Sequence, residues 1–465
     1  MIELAHNPFL YIEIMENLDK IVSYCKRKGF IFQSSDIYGG FGGFYDYGPL
    51  GVELKNNIKK SWWNYMVYQR TNIVGLDSSI IMNPRIWEAS GHTKTFSDPL
   101  AECKECHKRF RTDHLIKEQN CSEEDLKCPN CKGSFMPSRQ FNLMLKTFIG
   151  PVEDSSSIAY LRPETAQAIF VNYRNILDTQ RIKPPFGIAQ IGKGFRNEIT
   201  PGNFTFRTRE FEQMEMEFFV KPGEDEKFFE YWVAERMRWY TEVLGIKKEN
   251  LRVSYQGKED LAHYAKACGD IEYKFPIGWQ EIEGIANRSD FDLSQHEKYS
   301  GADLKYFDAE KNESYLPFVI EPSCGVDRVA LALLCESYEE IEGGRTTTTE
   351  SAKEMEILLK IKKDLSPVKI AILPLVKNKE IITDKAKEVY NLLASHFYCE
   401  YDEAGTIGRR YRRQDEIGTP YCITIDFDTI EKDNSVTIRD RDTMQQERID
   451  ISHLISHFYK QFYNL

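Results

Sequence analysis

No stretch of this chain approaches the roughly 18–20 consecutive apolar residues that span a bilayer. The opening Met1-Ile2-Glu3-Leu4-Ala5-His6-Asn7-Pro8 carries acid where a secretory leader carries base. Both absences predict a cytoplasmic protein without a membrane partner. A basic excess is missing as well: 61 Lys and Arg face 72 Asp and Glu, for a net charge of −11. That balance excludes coating nucleic acid by bulk charge but leaves room for a local basic face. There is no G-x-x-x-x-G-K-[ST] loop, and Gly192-Lys193-Gly194 lacks the rest of a dinucleotide fingerprint. A nucleotide must then be held by side chains, for which the planar arginine fork is suited. Repeats and long low-complexity tracts are also lacking.

What is present starts with 465 residues, enough for about three domains with ample core. Eleven cysteines are unevenly spread. Cys103-x-x-Cys106 and Cys128-x-x-Cys131, separated by 21 residues, have the spacing of a four-thiolate zinc ribbon. His107, His114 and Cys121 are poorer ligand candidates, and Cys25, Cys268, Cys324, Cys335, Cys399 and Cys422 read as isolated core thiols.

The richest segment runs from Phe186 to Phe219. Phe186–Ile191 reads as a strand, Thr200-Pro201-Gly202-Asn203 carries turn chemistry, and Phe195-Arg196-Asn197-Glu198 precedes a return strand. Alternation puts Phe211, Gln213, Glu215 and Glu217 on one face and Met214, Met216 and Phe218 on the other. The second face suits a core. The first offers an aromatic plate, an amide and carboxylates beside arginines, a set that grips an anion, a flat ring and an ammonium together.

Elsewhere, Leu18, Ile21, Val22 and Cys25 predict a helix stopped by Gly29, and Pro49 opens a second with a stripe of Leu54, Ile58, Trp62 and Tyr65. Residues 222–270 read as a charged, mostly helical insertion. Strands are predicted at Ile271–Phe275, Trp279–Ile282 and Phe318–Glu321, the last turning at Pro322-Ser323-Cys324-Gly325 into an apolar helix. Gly343 to Thr349 reads as a mobile segment, and a small α/β domain follows Pro367. Its Arg409, Arg410, Arg412 and Arg413 are either a solvated patch or a phosphate reader.

Arg196-x-Glu198 at a hairpin, Pro49 before a long helix, and Gly325-Val326-Asp327-Arg328 opening another resemble the three signature motifs of class II aminoacyl-tRNA synthetases. Asp46-Tyr47-Gly48-Pro49-Leu50-Gly51, Trp87-Glu88-Ala89-Ser90-Gly91-His92, Phe110-Arg111-Thr112-Asp113-His114-Leu115, Leu161-Arg162-Pro163-Glu164-Thr165-Ala166-Gln167 and Glu321-Pro322-Ser323 narrow the resemblance to the glycyl-tRNA synthetases. It extends from about residue 18 to the C-terminus. Ala168, Thr112 and Ile282 stand where the family more often has Gly, Ala and Leu.

The resemblance implies an α+β fold: an antiparallel sheet flanked by helices, a zinc-ribbon insertion and a C-terminal anticodon-binding domain. It divides the chain at 1–99 (motif 1 and dimer helix), 100–135 (zinc ribbon), 136–345 (motifs 2 and 3), 346–366 (linker) and 367–465. By the same resemblance Arg196, Arg328 and Glu281 are catalytic. Arg111, Glu164, Phe211, Gln213, Glu215, Glu321, Ser323 and Gly325 bind glycine. Arg196, Asn197, Glu198, Phe206, Arg207, Phe211, Glu281, Ile282, Gly325, Asp327 and Arg328 bind ATP. Mg²⁺ assists, Zn²⁺ is structural on Cys103, Cys106, Cys128 and Cys131, tRNA(Gly) is the partner, and the enzyme is a homodimer. Tyr411 and the arginines around it have the chemistry to read a single-stranded loop.

Overall fold

The computed structural model describes residues 8–257, 259, 261–262, 264–343, 345 and 355–463. The threonine run 346–349, expected to be mobile, lies outside the described residues. Helix α1 (Pro8–Lys28) buries Leu18, Ile21 and Cys25 and ends at Gly29, whose φ of 77° is the left-handed geometry glycine adopts without a Cβ penalty. Pro49 occupies the first position of α2 (Pro49–Trp63), where no N–H is missed, and Leu54, Ile58 and Trp62 bury the predicted stripe.

These helices pack on a seven-stranded sheet made of β1 (Ile73–Gly75), β2 (Phe186–Phe195), β3 (Glu210–Val220), β4 (Leu251–Tyr255), β5 (Ala267–Phe275), β6 (Gly278–Ser289) and β7 (Phe318–Gly325). The strand order is β4-β5-β6-β7-β3-β2-β1, antiparallel except for the β1–β2 pair. With its flanking helices, this is the expected α+β architecture. The β2–β3 register sets Phe211 opposite Gly194, Gln213 opposite Gly192 and Glu215 opposite Gln190.

Four further helices, α3 (Ala166–Gln180), α4 (Asp225–Arg238), α5 (Phe291–Ser300) and α6 (Val326–Ser337), complete the layers. Met214, Met216 and Phe218 face α2, α4 and α6 in the main core with Ile58, Trp62, Trp232, Val329 and Leu333. Each such buried side chain contributes roughly 1.5–3 kcal/mol of transfer free energy. The other face is closed at one end by α3 and α5 through Ile169, Phe170, Phe219 and Leu293. Beyond them the sheet opens into a cleft.

Three expectations need correction. Residues 222–270 are not a mostly helical insertion: after α4, Leu251–Tyr255 and Ala267–Phe275 are strands of the main sheet. Charged Arg252 on the outer face masks the alternation of Leu251 and Val253 on the inner one, and Ala267–Phe275 lengthens the strand expected at Ile271–Phe275. Phe318–Glu321 does not turn at Pro322, because β7 continues to Gly325. The register from β7 to β3 skips from Ser323 to Ile320, and Pro322, with no N–H to donate, sits in that gap. The segment expected as a linker contains a strand, Glu356–Leu359, antiparallel to Tyr338–Ile341, with Leu358 and Leu359 buried.

The cysteine segment folds around a three-stranded sheet with Ser97–Glu102 between Arg109–Arg111 and Arg139–Asn142. The C-terminal domain comprises β8 (Ile370–Pro374), α7 (Glu380–Ala394), β9 (Cys399–Tyr401), α8 (Ile407–Ile417), β10 (Tyr421–Ile425), β11 (Ser435–Asp440), β12 (Gln446–Asp450) and α9 (Leu454–Tyr463). Its sheet order is β9-β8-β10-β11-β12, with β8 parallel to β9 and β10. Ile370, Ile372, Val389, Ile423, Val436 and Phe458 give it a separate core.

Candidate active site

The cleft on the open face of the sheet measures about 460 Å³, within the range of small-molecule sites. It gathers Arg111, Glu164, Arg196, Glu198, Phe206, Arg207, Phe211, Gln213 and Glu215 with Glu281, Ile282, Glu321, Ser323, Gly325, Asp327 and Arg328. Of the residues named from sequence for glycine or ATP, Asn197 alone does not line it; its backbone N–H donates to the Leu143 carbonyl at 2.8 Å.

Two arginine–aromatic pairs form one end. The Arg196 guanidinium lies 5.3 Å from the Phe211 ring centre and 5.4 Å from that of Phe96, and its Nε donates to the Pro163 carbonyl at 3.1 Å. The Arg328 guanidinium lies 4.4 Å over Phe206; its Nε donates to the Phe206 carbonyl and its Nη1 to the Glu281 carbonyl, 3.3 Å from the Glu281 carboxylate. Rings and backbone acceptors thus hold both cations in fixed orientation within the cleft. Asp327 accepts from Lys55 of α2 and from the Glu212 N–H, which ties α6 to the hairpin. Arg111 is paired with Asp98 and Asp113.

At the other end the carboxylates converge. Glu215 accepts from the Thr165 N–H at 3.1 Å and from the Thr165 hydroxyl, so the turn into α3 fixes it. Glu164 lies 3.3 Å from His92. Burial opposes its charge, but His92, Arg288 and Arg196 win and hold its carboxyl well below the usual range. Glu321 receives Arg288 Nη1 at 2.7 Å; burial nevertheless pushes its carboxyl up to about 8, against the pull of Arg288 and with the repulsion of Glu215 and Glu164. Glu215 is raised as well, by burial first and then by Glu164. Gln213 donates to Ser323 Oγ at 3.4 Å, and its own carbonyl oxygen is buried without a partner among the described residues.

Sequence reasoning missed the network behind these acids. Buried Arg288 forks onto Asp292 at 2.7 and 2.9 Å, and Gln167 links Asp292 to Glu164 and His296. Asp292 four residues after Arg288 was the available signal, but its other partners are far along the chain. Glu217, on the same strand face as Gln213 and Glu215, is fully buried, with both carboxyl oxygens unpartnered among the described residues.

The cysteines also come together: all four Sγ atoms lie within 4.8 Å of one another. Cys103 and Cys131 are 3.4 Å apart and Cys106 and Cys128 3.6 Å, far beyond a disulfide bond and near the roughly 3.8 Å between thiolates around a tetrahedral ion with ~2.3 Å bonds. The knuckles repeat one pattern. The backbone N–H groups of Cys103 and Cys128 donate to the carbonyls five residues on, and those of His107 and Lys132, both at positive φ, donate back to Cys103 and Cys128. This donor set fits a four-thiolate metal ion.

The arginine cluster of α8 divides. Arg410 is buried and donates to the Pro374, Leu375 and Asp402 carbonyls, while Arg413 pairs with Asp402. Tyr411 packs on Ala371, Leu373 and Cys422 and bonds Thr424. Arg410 and Tyr411 therefore help to hold the domain together; their period in α8 turns them inward, while Arg409 is exposed.

A class II synthetase core followed by an anticodon-binding domain is the class of protein that this fold and cleft define. Residues 151–338 match the tRNA synthetase class II core domain (G, H, P, S and T), and residues 369–461 match the anticodon binding domain. The glycine–tRNA ligase of Streptomyces coelicolor is 55% identical over 94% of this chain and 97% of its own length. That of Acetivibrio thermocellus is 52% identical over 97% and 100%, and that of Clostridium tetani 54% over 96% and 98%. The chain belongs to the glycine–tRNA ligase family, as its motifs had suggested.

Proposed function

We propose that this chain activates glycine with ATP and transfers it to the 3′ end of tRNA(Gly). The observation that carries the reading is one cleft with arginine–aromatic clamps at one end and a cage of Glu164, Glu215 and Glu321 at the other. A glycine carboxylate oxygen attacks the α-phosphorus of ATP and pyrophosphate leaves, giving glycyl-adenylate. The terminal ribose hydroxyl of tRNA then attacks the carbonyl carbon, and AMP departs. Such chemistry depends on positioning and charge neutralisation.

In this reading Arg196 bridges the α-phosphate and the glycine carboxylate, Arg328 holds the distal phosphates, Phe211 stacks on adenine and Glu198 meets its exocyclic amine. The ammonium, a three-donor cation, enters the acid cage with Gln213 and Ser323 as further acceptors. A methyl on Cα is rejected by lack of room, which needs no editing domain. Glu281 is suited to Mg²⁺, which neutralises phosphate charge when bound. Cys103, Cys106, Cys128 and Cys131 hold structural Zn²⁺, the C-terminal domain meets the anticodon, and two copies pair through the α2 region in the cytoplasm. ATP–pyrophosphate exchange across the twenty amino acids, followed by tRNA charging, tests the reading. Exchange driven by an amino acid other than glycine, or by none, overturns it.

A further inference from the structure

The acid cage contains one more carboxyl than the substrate needs. Glu217 is fully buried in β3, does not line the cleft, and has no hydrogen-bond donor on either oxygen among the described residues. One oxygen from each of Glu215, Glu217 and Glu321 lies within 4.8 Å of the other two. The neighbouring acids are anchored: Glu215 by Thr165, Glu321 by Arg288. The charged groups facing Glu217 are Glu215 on its own strand, Glu321 on β7, Arg288 on β6 and Asp292 on α5. Arg288, the one cation among them, already makes two bonds to Asp292 and one to Glu321.

We propose that Glu217 is a positioning residue for the substrate ammonium: a neutral carboxylic acid whose O–H donates to one oxygen of the Glu215–Glu321 pair, fixing that pair for the cation. A buried carboxyl that receives no donor from the protein, among anchored acids, satisfies itself by supplying the proton. Burial, followed by the charge of Glu321, pushes its carboxyl well above the usual range, with Arg288 opposing. Glu217 touches no substrate and acts through the two acids that do. Because it carries no charge, it adds a bond to the cage without adding another anion for the ammonium to offset. The inference rests on the glycine-activation reading.

The test measures KM for glycine, KM for ATP and kcat in ATP–pyrophosphate exchange for the full chain, Glu217→Gln and Glu217→Leu, with thermal unfolding alongside. Glutamine keeps a neutral donor, so its glycine KM stays within about threefold of the parent across about pH 6–9, while leucine raises glycine KM about tenfold or more with ATP KM unchanged. Infrared difference spectra of the folded protein show a protonated-carboxyl carbonyl band that Glu217→Gln removes. Should Glu217→Leu fail to fold, that band and the glutamine KM values decide. The inference is overturned if glutamine is as impaired as leucine, if leucine leaves glycine KM unchanged, if ATP KM rises in parallel, or if the band is missing. A parent protein with no glycine-dependent exchange overturns the functional reading instead.

Discussion

Glu215 and Glu321 meet the site from neighbouring strands, and each should matter for a different reason. Glu215→Ala leaves the Thr165 donors unanswered, and Glu321→Ala strips Arg288 of one partner. Either change should cost roughly 2–5 kcal/mol of glycine binding, read as loss of glycine-dependent exchange; near-parental exchange in both variants would refute the cage. Glu321 also sets a pH dependence. Its carboxyl titrates near 8 in the fold, against 4.5 as its ordinary value. The folded state thus holds a proton that the unfolded chain releases earlier. The resulting stability is complete below about pH 4.5 and is lost as pH rises through about 8. An ammonium favours the ionised form, so glycine affinity should climb over the same interval. Calorimetric titration with glycine at several pH values checks this, and a flat profile counts against the assignment. At this scale the sequence spoke clearly where period-two alternation or a motif set a residue's direction, as for Phe211, Gln213 and Glu215. It said little of Arg288, Asp292 and Gln167, whose meaning lies in partners brought together by folding.

Elements were legible where their periodicity was undisturbed. The β2–β3 hairpin, the α2 stripe and the paired knuckles all follow from local pattern, whereas β4 was hidden under outward charges, and β5 and β7 were legible only over Ile271–Phe275 and up to Pro322. Behind the hairpin, Arg236 of α4 and Glu283 of β6 form an ion pair with side chains 0% and 1% exposed, at 2.6 Å. Among the described residues Glu283 Oε2 and Arg236 Nη2 lack further partners. Breaking it with Glu283→Ala should cost roughly 3–5 kcal/mol in urea unfolding, whereas an apolar pair of similar volume at both positions should come close to neutral. Equal loss in the single and double variants would show that the pair itself stabilises. For the knuckles, Cys103→Ser should lower zinc content and the unfolding midpoint together, as metal analysis and thermal melts would reveal; full zinc retention would disprove the four-thiolate assignment.

At the scale of the whole molecule, removing residues 367–465 should spare glycine-dependent exchange at room temperature while ending tRNA charging. Loss of both activities would assign the domain a purely structural role. The C-terminal domain was readable from its fresh strand–helix alternation after Pro367, but the seam was not, because its contacts are single residues distant in sequence. Tyr24 of α1 donates to the Glu416 carbonyl, Arg345 reaches Asp415, and Arg441 donates to the Ile361 carbonyl. The strand Glu356–Leu359 pairs with the catalytic side through Tyr338–Ile341 and packs under α8 on the other. Two separate cores are therefore stitched by a shared strand and by polar bonds that neither can keep alone. Heat should accordingly melt the chain in one cooperative transition rather than two, with a calorimetric enthalpy matching the van't Hoff value for the entire chain. Any partner that loosens this seam would then be felt as lost cooperativity before it was felt as lost secondary structure.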